Sequence, residues 1–176
     1  MAVTIHRFNL YKVVEAILLV ASKVPEPTFH KISKMFYFAD KLHLERYGCV
    51  LSGDTYHAME YGPVPSHIYN IMKYAGGAEN LPSTDKSPAI RTAMKLLADR
   101  RTVSALRDPN LDVLSESEVE CLLDAINEHG KKSFGSLSDE THDAAWKSVA
   151  ENEAIPLKAI VDTLPNAEEV SGYLYA

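Results

Sequence analysis

The sequence predicts an α+β domain, mostly helical, with a central buried aromatic helix and a small antiparallel β-sheet. Three observations lead there. Apolar residues recur at three-and-four spacing in most segments, the signature of amphipathic helices. Residues 35–39, Met-Phe-Tyr-Phe-Ala, are apolar or aromatic all round, as in a helix covered on several sides. Only short stretches alternate like strands, and they lie between turn residues.

The elements follow in chain order. Leu10, Val13, Val14, Ile17, Leu18 and Ala21 form the stripe of a first helix, which Pro25 and Pro27 end. Its apolar run is interrupted by Glu15 and is too short for a membrane span, and no basic leader with a cleavage site precedes it. Thr28 is placed to cap the central helix, which carries Phe36, Tyr37 and Phe38, and Gly48 is placed to stop it in a left-handed turn. Residues 55–61 read as a strand with His57, Met59 and Tyr61 on one face. The segment Gly62-Pro63-Val64-Pro65 should then break regular structure, since two prolines in four residues remove ladder donors. Pro65 should open a helix bearing Ile68, Ile71, Met72 and Ala75, ended by Gly76-Gly77.

After a polar loop over residues 79–87, Pro88 opens a helix with Ile90, Ala93, Met94 and Leu97 inward. Residues 103–106 and 111–113 read as a hairpin about Asp108-Pro109-Asn110. Ser115 and Glu118 form a capping box with Leu114 and Val119 as its staple, and Gly130 stops the helix that follows. Further helices are expected near residues 134–142, 144–150, after Pro156 and near 167–175. No repeat or linker divides the chain, so residues 1–176 are expected to form one domain.

The net charge of −6 argues against nucleic-acid binding, which draws its affinity from clustered Lys and Arg, and suits a basic protein partner. Two separated cysteines, Cys49 and Cys121, point to a reducing cytoplasm rather than to a disulfide framework. The chain shows no Gly-rich phosphate loop, no HExxH, no GxSxG and no CxxC, and no cofactor is expected. Asp40 and His43, three apart on the central helix, share a face; with His57 or His67 they have the types for a metal site or an acid–base pair. The competing reading makes Asp40 a partly buried hydrogen-bonded carboxylate and His43 an exposed ring. His142 and Trp146, four apart, read either as an imidazole beside an indole at a site or as a packing pair. Tyr37, Tyr56, Tyr61, Tyr69 and Tyr74 serve either an interface or the edge of a core.

Two segments carry a family resemblance. The run KMFYFADKLHLERYG, continued by SGDTYHAMEYGPVPSHIY, is similar to the signature of the Panacea domain of SocA-like antitoxins and phage-associated GepA proteins. Leu137 to Trp146, LSDETHDAAW, resembles the later Thr-His…Trp element of that family. Residues 79–113 match no element of it. The resemblance implies an antitoxin, not an enzyme, that binds a cognate protein toxin, with alarmone-synthetase-like toxins among the family's partners. It also implies delivery to the ClpXP protease as one mode of action. On this reading the surface about Asp40, His43, Tyr61, Gly62, Pro63, Val64 and Pro65 contributes to toxin binding, while Phe36, Tyr37, Phe38, His142 and Trp146 hold the fold. The alternatives are a metal-dependent hydrolase using Asp40 and His43, and a phage-derived regulator of host proteins.

Overall fold

In the computed structural model, residues 7–176 are described, and the remaining six fall outside the description of the expected 1–176 unit. The first helix, α1, covers Leu10–Lys23. The central helix, α2, covers Phe29–Tyr47; Thr28 accepts the Lys31 N–H at its start and Gly48 ends it at φ 69°. Both caps stand where the sequence puts them. The all-round apolar pattern of α2 is explained by two cores that it separates. Ile32, Met35, Phe36 and Ala39 pack into one core with residues of α1, with Phe38 half-buried at its edge. Tyr37 and Leu44 pack into the other with the C-terminal residues Ile155, Ile160, Val161, Leu164 and Val170.

Strands β1 (Tyr56–Met59) and β2 (Gly62–Pro65) pair antiparallel, Tyr56 opposite Pro65 and Met59 opposite Gly62. The proline segment therefore continues the ladder that it was expected to break. Hydrogen-bond alternation explains how. The Ala58 N–H donates to the Glu153 carbonyl, and the Ala58 and Tyr56 carbonyls accept from the Asn152 and Ile155 N–H groups, so both residues turn their backbone away from β2. Pro63 and Pro65, opposite Ala58 and Tyr56, thus occupy the non-hydrogen-bonded positions, where no N–H is needed. The Ser66 N–H donates to the Thr55 carbonyl, which keeps the alternation in phase. Residues 152–155 cover the far edge of β1, and the prolines blunt the edge of β2.

Helix α3 (Ser66–Ala75) follows, with Pro65 as its N-cap residue and Gly76 as its stop. Helix α4 (Pro88–Ala93) is shorter than its apolar pattern suggests, because Met94 turns into β3 (Met94–Leu96). That strand pairs with β4 (Val103–Ala105), so the hairpin joins residues 94–105. Leu111–Val113 is instead a 3-10 turn, and Leu97 lies exposed. A period of two could not be told from a helical stripe over three residues. The small sheet is accordingly two separate antiparallel pairs. Helix α5 (Glu116–His129) begins with the expected capping box, Ser115 with Glu118. Then come α6 (Phe134–Thr141), α7 (Ala144–Lys147), α8 (Leu157–Val161) and α9 (Ala167–Leu174). Cys49 and Cys121 are free thiols. Among the described residues no helix is long and apolar enough to cross a membrane.

The register makes a sharp prediction. Val64 faces His57 at a hydrogen-bonded position, so Val64→Pro should cost about 3 kcal/mol. Pro63→Ala, one residue away, should cost only about 1 kcal/mol. Urea denaturation of the two variants checks this, and equal losses would contradict the register.

Candidate functional site

The expected site residues divide into a buried set and an exposed set. Asp40 is buried, and its carboxylate accepts four hydrogen bonds. The Leu51 and Ser52 N–H groups donate to Oδ1 at 2.7 and 2.8 Å, and the Ser52 and Tyr56 hydroxyls donate to Oδ2 at 2.5 and 2.6 Å. All of these donors come from the segment leading into β1, so Asp40 fastens that segment to α2. Tyr56 is wholly buried, and burial, with Asp40 beside it, pushes its phenol well above the ordinary range. It therefore remains a donor. A hollow of about 90 Å³ beside Asp40, also lined by Tyr37 and Val50, has room for a few waters rather than a substrate.

His43 is buried as well, at 3% exposure, and not exposed as the sequence suggested. Its Nδ1 lies 2.8 Å from the Cys49 carbonyl and its Nε2 3.0 Å from Ser117 Oγ. A carbonyl only accepts, so Nδ1 carries the proton. His43 thereby ties the end of α2 to α5. His67 is engaged elsewhere, its Nδ1 2.6 Å from the fully buried Asp85. Among the described residues no group of three or more His, Cys, Asp or Glu is placed to hold a metal.

The GPVP corner closes over a buried lysine with no expected role. Lys34 is 0% exposed, and its Nζ donates to the Pro63 carbonyl at 3.1 Å. Gly62 lies against it at φ 114°; a Cβ there would stand 2.6 Å from Thr141 Oγ1 and 2.7 Å from Lys34 Cε. Glycine is thus required twice, by backbone and by space. Burial pushes the Lys34 ammonium down to about 7. The later motif meets the same place. The Tyr37 hydroxyl donates to Asp143 at 2.7 Å, Lys41 pairs with the same carboxylate at 3.2 Å, and Asp143 caps α7 through the Trp146 N–H. The Trp146 indole N–H donates to the Met59 carbonyl at 2.8 Å, and its ring stacks on His142 at 3.9 Å. His142 and Trp146 are therefore a packing pair that clamps α7 to the tip of the β1–β2 hairpin.

What remains exposed is the tip itself. Tyr61 is 51% exposed and meets Phe134, 52% exposed, edge to face at 5.1 Å. His30 stacks on Phe134 at 3.9 Å, with its Nε2 3.0 Å from Ser138 Oγ. Burial, aided by the Lys34 ammonium, lowers His30 to about 4, so the ring is neutral at pH 7. Val64 is half-buried, whereas Gly62, Pro63 and Pro65 are buried. Of the five tyrosines, Tyr37, Tyr56 and Tyr74 are core residues, Tyr69 packs at the core edge, and Tyr61 faces out.

The fold and this junction define a helical scaffold with a braced hairpin tip. The family model of the SocA-like antitoxin, Panacea domain, matches residues 32–147 of the 176-residue chain, and the chain belongs to that family. The match runs through residues 79–113, where the resemblance of the motifs implies no counterpart. No curated protein and no solved structure matches the chain.

Two predictions follow from the buried groups. Asp40→Asn keeps the size but sets an amide donor among four donors, and should cost about 3 kcal/mol in chemical denaturation. For Lys34, the unfolded chain binds a proton between about pH 7 and 10.5 that the folded chain has released. Folding stability contributed by this group therefore rises across that window, and the penalty of the buried cation is fully present below pH 7. Lys34→Met should gain most over the parent at pH 7, and its advantage should shrink by up to about 3 kcal/mol by pH 9.5. Paired denaturation curves at the two pH values measure this, and a pH-independent difference would contradict it.

Proposed function

We propose that the chain is an antitoxin that neutralises a cognate protein toxin by direct binding, a binding rather than a catalytic role. Membership of the SocA-like antitoxin family supports this reading. The observation that carries it to a surface is the exposed pair Tyr61 and Phe134, set beside His30 on a tip that the buried residues brace. Aromatic side chains supply large, rigid contact area, and a tip already fixed by Lys34 and Trp146 needs little further ordering on binding. Asp40, His43, Gly62, Pro63 and Pro65 then act from within by shaping that tip, and Tyr61 and Val64 are the expected positions that reach the partner. The blunted edges of the β1–β2 pair favour side-chain docking over strand addition.

A toxin of the alarmone-synthetase-like class fits the family expectation, and delivery to ClpXP is the finer mechanism to test against sequestration. The experiment is co-expression of the tagged chain with the product of the neighbouring gene, read by pull-down and by growth rescue. Toxin levels in cells with and without ClpXP then separate delivery from sequestration. Tyr61→Ala with Phe134→Ala should weaken the complex at least about tenfold while leaving the unfolding midpoint nearly unchanged, since both rings are exposed anchors. A complex of undiminished affinity would remove this surface from the interface; no complex and no rescue would remove the antitoxin reading.

A further inference from the structure

A cleft of about 340 Å³ opens beside the hairpin tip, lined by Ala58, Glu60, Trp146, Lys147, Val149 and Glu151. The volume lies in the range of small-ligand sites. Its floor and walls come from three elements: β1 and the turn after it, α7, and the segment that runs back along β1.

The indole of Trp146 is the fixed part. Its N–H is committed to the Met59 carbonyl at 2.8 Å, and His142 stacks on the ring at 3.9 Å and 19°. The ring is thus held in one orientation while it lines the cleft. Glu60 and Glu151 are exposed at the rim, and neither enters an ion pair among the described residues. Lys147 also lines the cleft, so two carboxylates stand against one ammonium and the lining is net negative.

A fixed aromatic face with unpaired carboxylates beside it has the chemistry that selects a cation. The ring quadrupole attracts a guanidinium or ammonium, the carboxylates pair with it, and the half-buried Val149 offers apolar surface to the methylene stem. An anion would meet two carboxylates, and a neutral apolar chain would draw on neither charge. Of the two natural cations, arginine is favoured because its planar group stacks on a ring and pairs with carboxylate at the same time.

We infer that the Trp146 cleft is a receptor for a basic side chain, an arginine of the protein partner, inserted between Glu60 and Glu151 against the indole. That the partner is a toxin rests on the preceding section; the chemistry of the cleft does not.

Trp146 is the single tryptophan of the chain, so its fluorescence reports on the cleft directly. The probe is N-acetyl-arginine methylamide, titrated against the full chain, with the norleucine and aspartate analogues as controls. A saturable change with the arginine probe, with a Kd in the ~mM range expected of one side chain, is the expected result. Glu60→Gln with Glu151→Gln should weaken it about tenfold or more, since the remaining attraction is the ring alone. Both glutamates are exposed, and an unchanged unfolding midpoint confirms that the variant is folded. No saturable change, an equal response to the norleucine analogue, a stronger response to the aspartate analogue, or undiminished binding by the double variant overturns the inference. The same variant in the pull-down tests the partner: loss of the complex supports an arginine seated here, and full retention overturns the cleft's part in the interface. Probe binding with no complex formed by the parent chain supports the cleft's chemistry and overturns the antitoxin reading instead.

Discussion

The carboxylate of Asp40 is the constraint on which the arrangement of this molecule depends. A buried charge is tolerable only when its oxygens are paired, and here four donors from one short segment converge on it. The same pairing that satisfies the charge fixes where β1 starts relative to α2. Once Tyr56 is fixed, β1 determines the place of β2 through the ladder, and β2 brings Gly62 and Pro63 down on Lys34. His43 does the corresponding work at the other end of the segment, joining Cys49 to Ser117 on α5. The motif reads in sequence like a row of candidate functional groups. In space it is a chain of fastenings that ends at an exposed tip.

Much of this was legible beforehand, for identifiable reasons. The caps of α2 and α5 rest on local rules, Thr28, Gly48 and the Ser115–Glu118 box, and local rules can be read from local sequence. The burial of α2 on two sides followed from its lack of a polar face. Asp40 and His43 share a helix face in the sequence, but their burial is set by partners far along the chain. Ser117, the partner of His43, is 74 residues away. The proline corner departs from the expected break for a related reason. Whether a proline breaks a ladder depends on which of two alternating positions it takes, and the phase is set by residues 152–155 on the opposite edge of β1.

Of the aromatic patch only Tyr61 stands out in the sequence. His30 and Phe134 have nothing in their neighbourhoods to set them apart, and they meet because α6 packs across the N-terminal half of α2. Lys34 does carry a local signal. It immediately precedes the apolar run 35–39, one residue before Met35, so it stands at the edge of the stretch that is covered on both sides. Asp143, just before Ala144-Ala145-Trp146, also stood at a capping position that the sequence displays.

Lys34 also shows why the tip is rigid without being over-stabilised. A lysine is a poor choice here, because its charge must be desolvated while, among the described residues, it pairs with no carboxylate and donates to a single carbonyl. A methionine would fill the space at lower cost. Yet only a donor satisfies the Pro63 carbonyl, which the bend at Gly62 turns inward, and a buried carbonyl left unpaired costs free energy of its own. The lysine exchanges stability for geometry. The Gly62 turn is held closed from beneath, the two prolines keep β2 straight above it, and Trp146 holds the Met59 carbonyl from the side. Three independent restraints then act on a turn of few residues, with Glu60 and Tyr61 exposed at its end. A turn restrained in this way has little backbone entropy left to lose, which suits the binding role proposed for it.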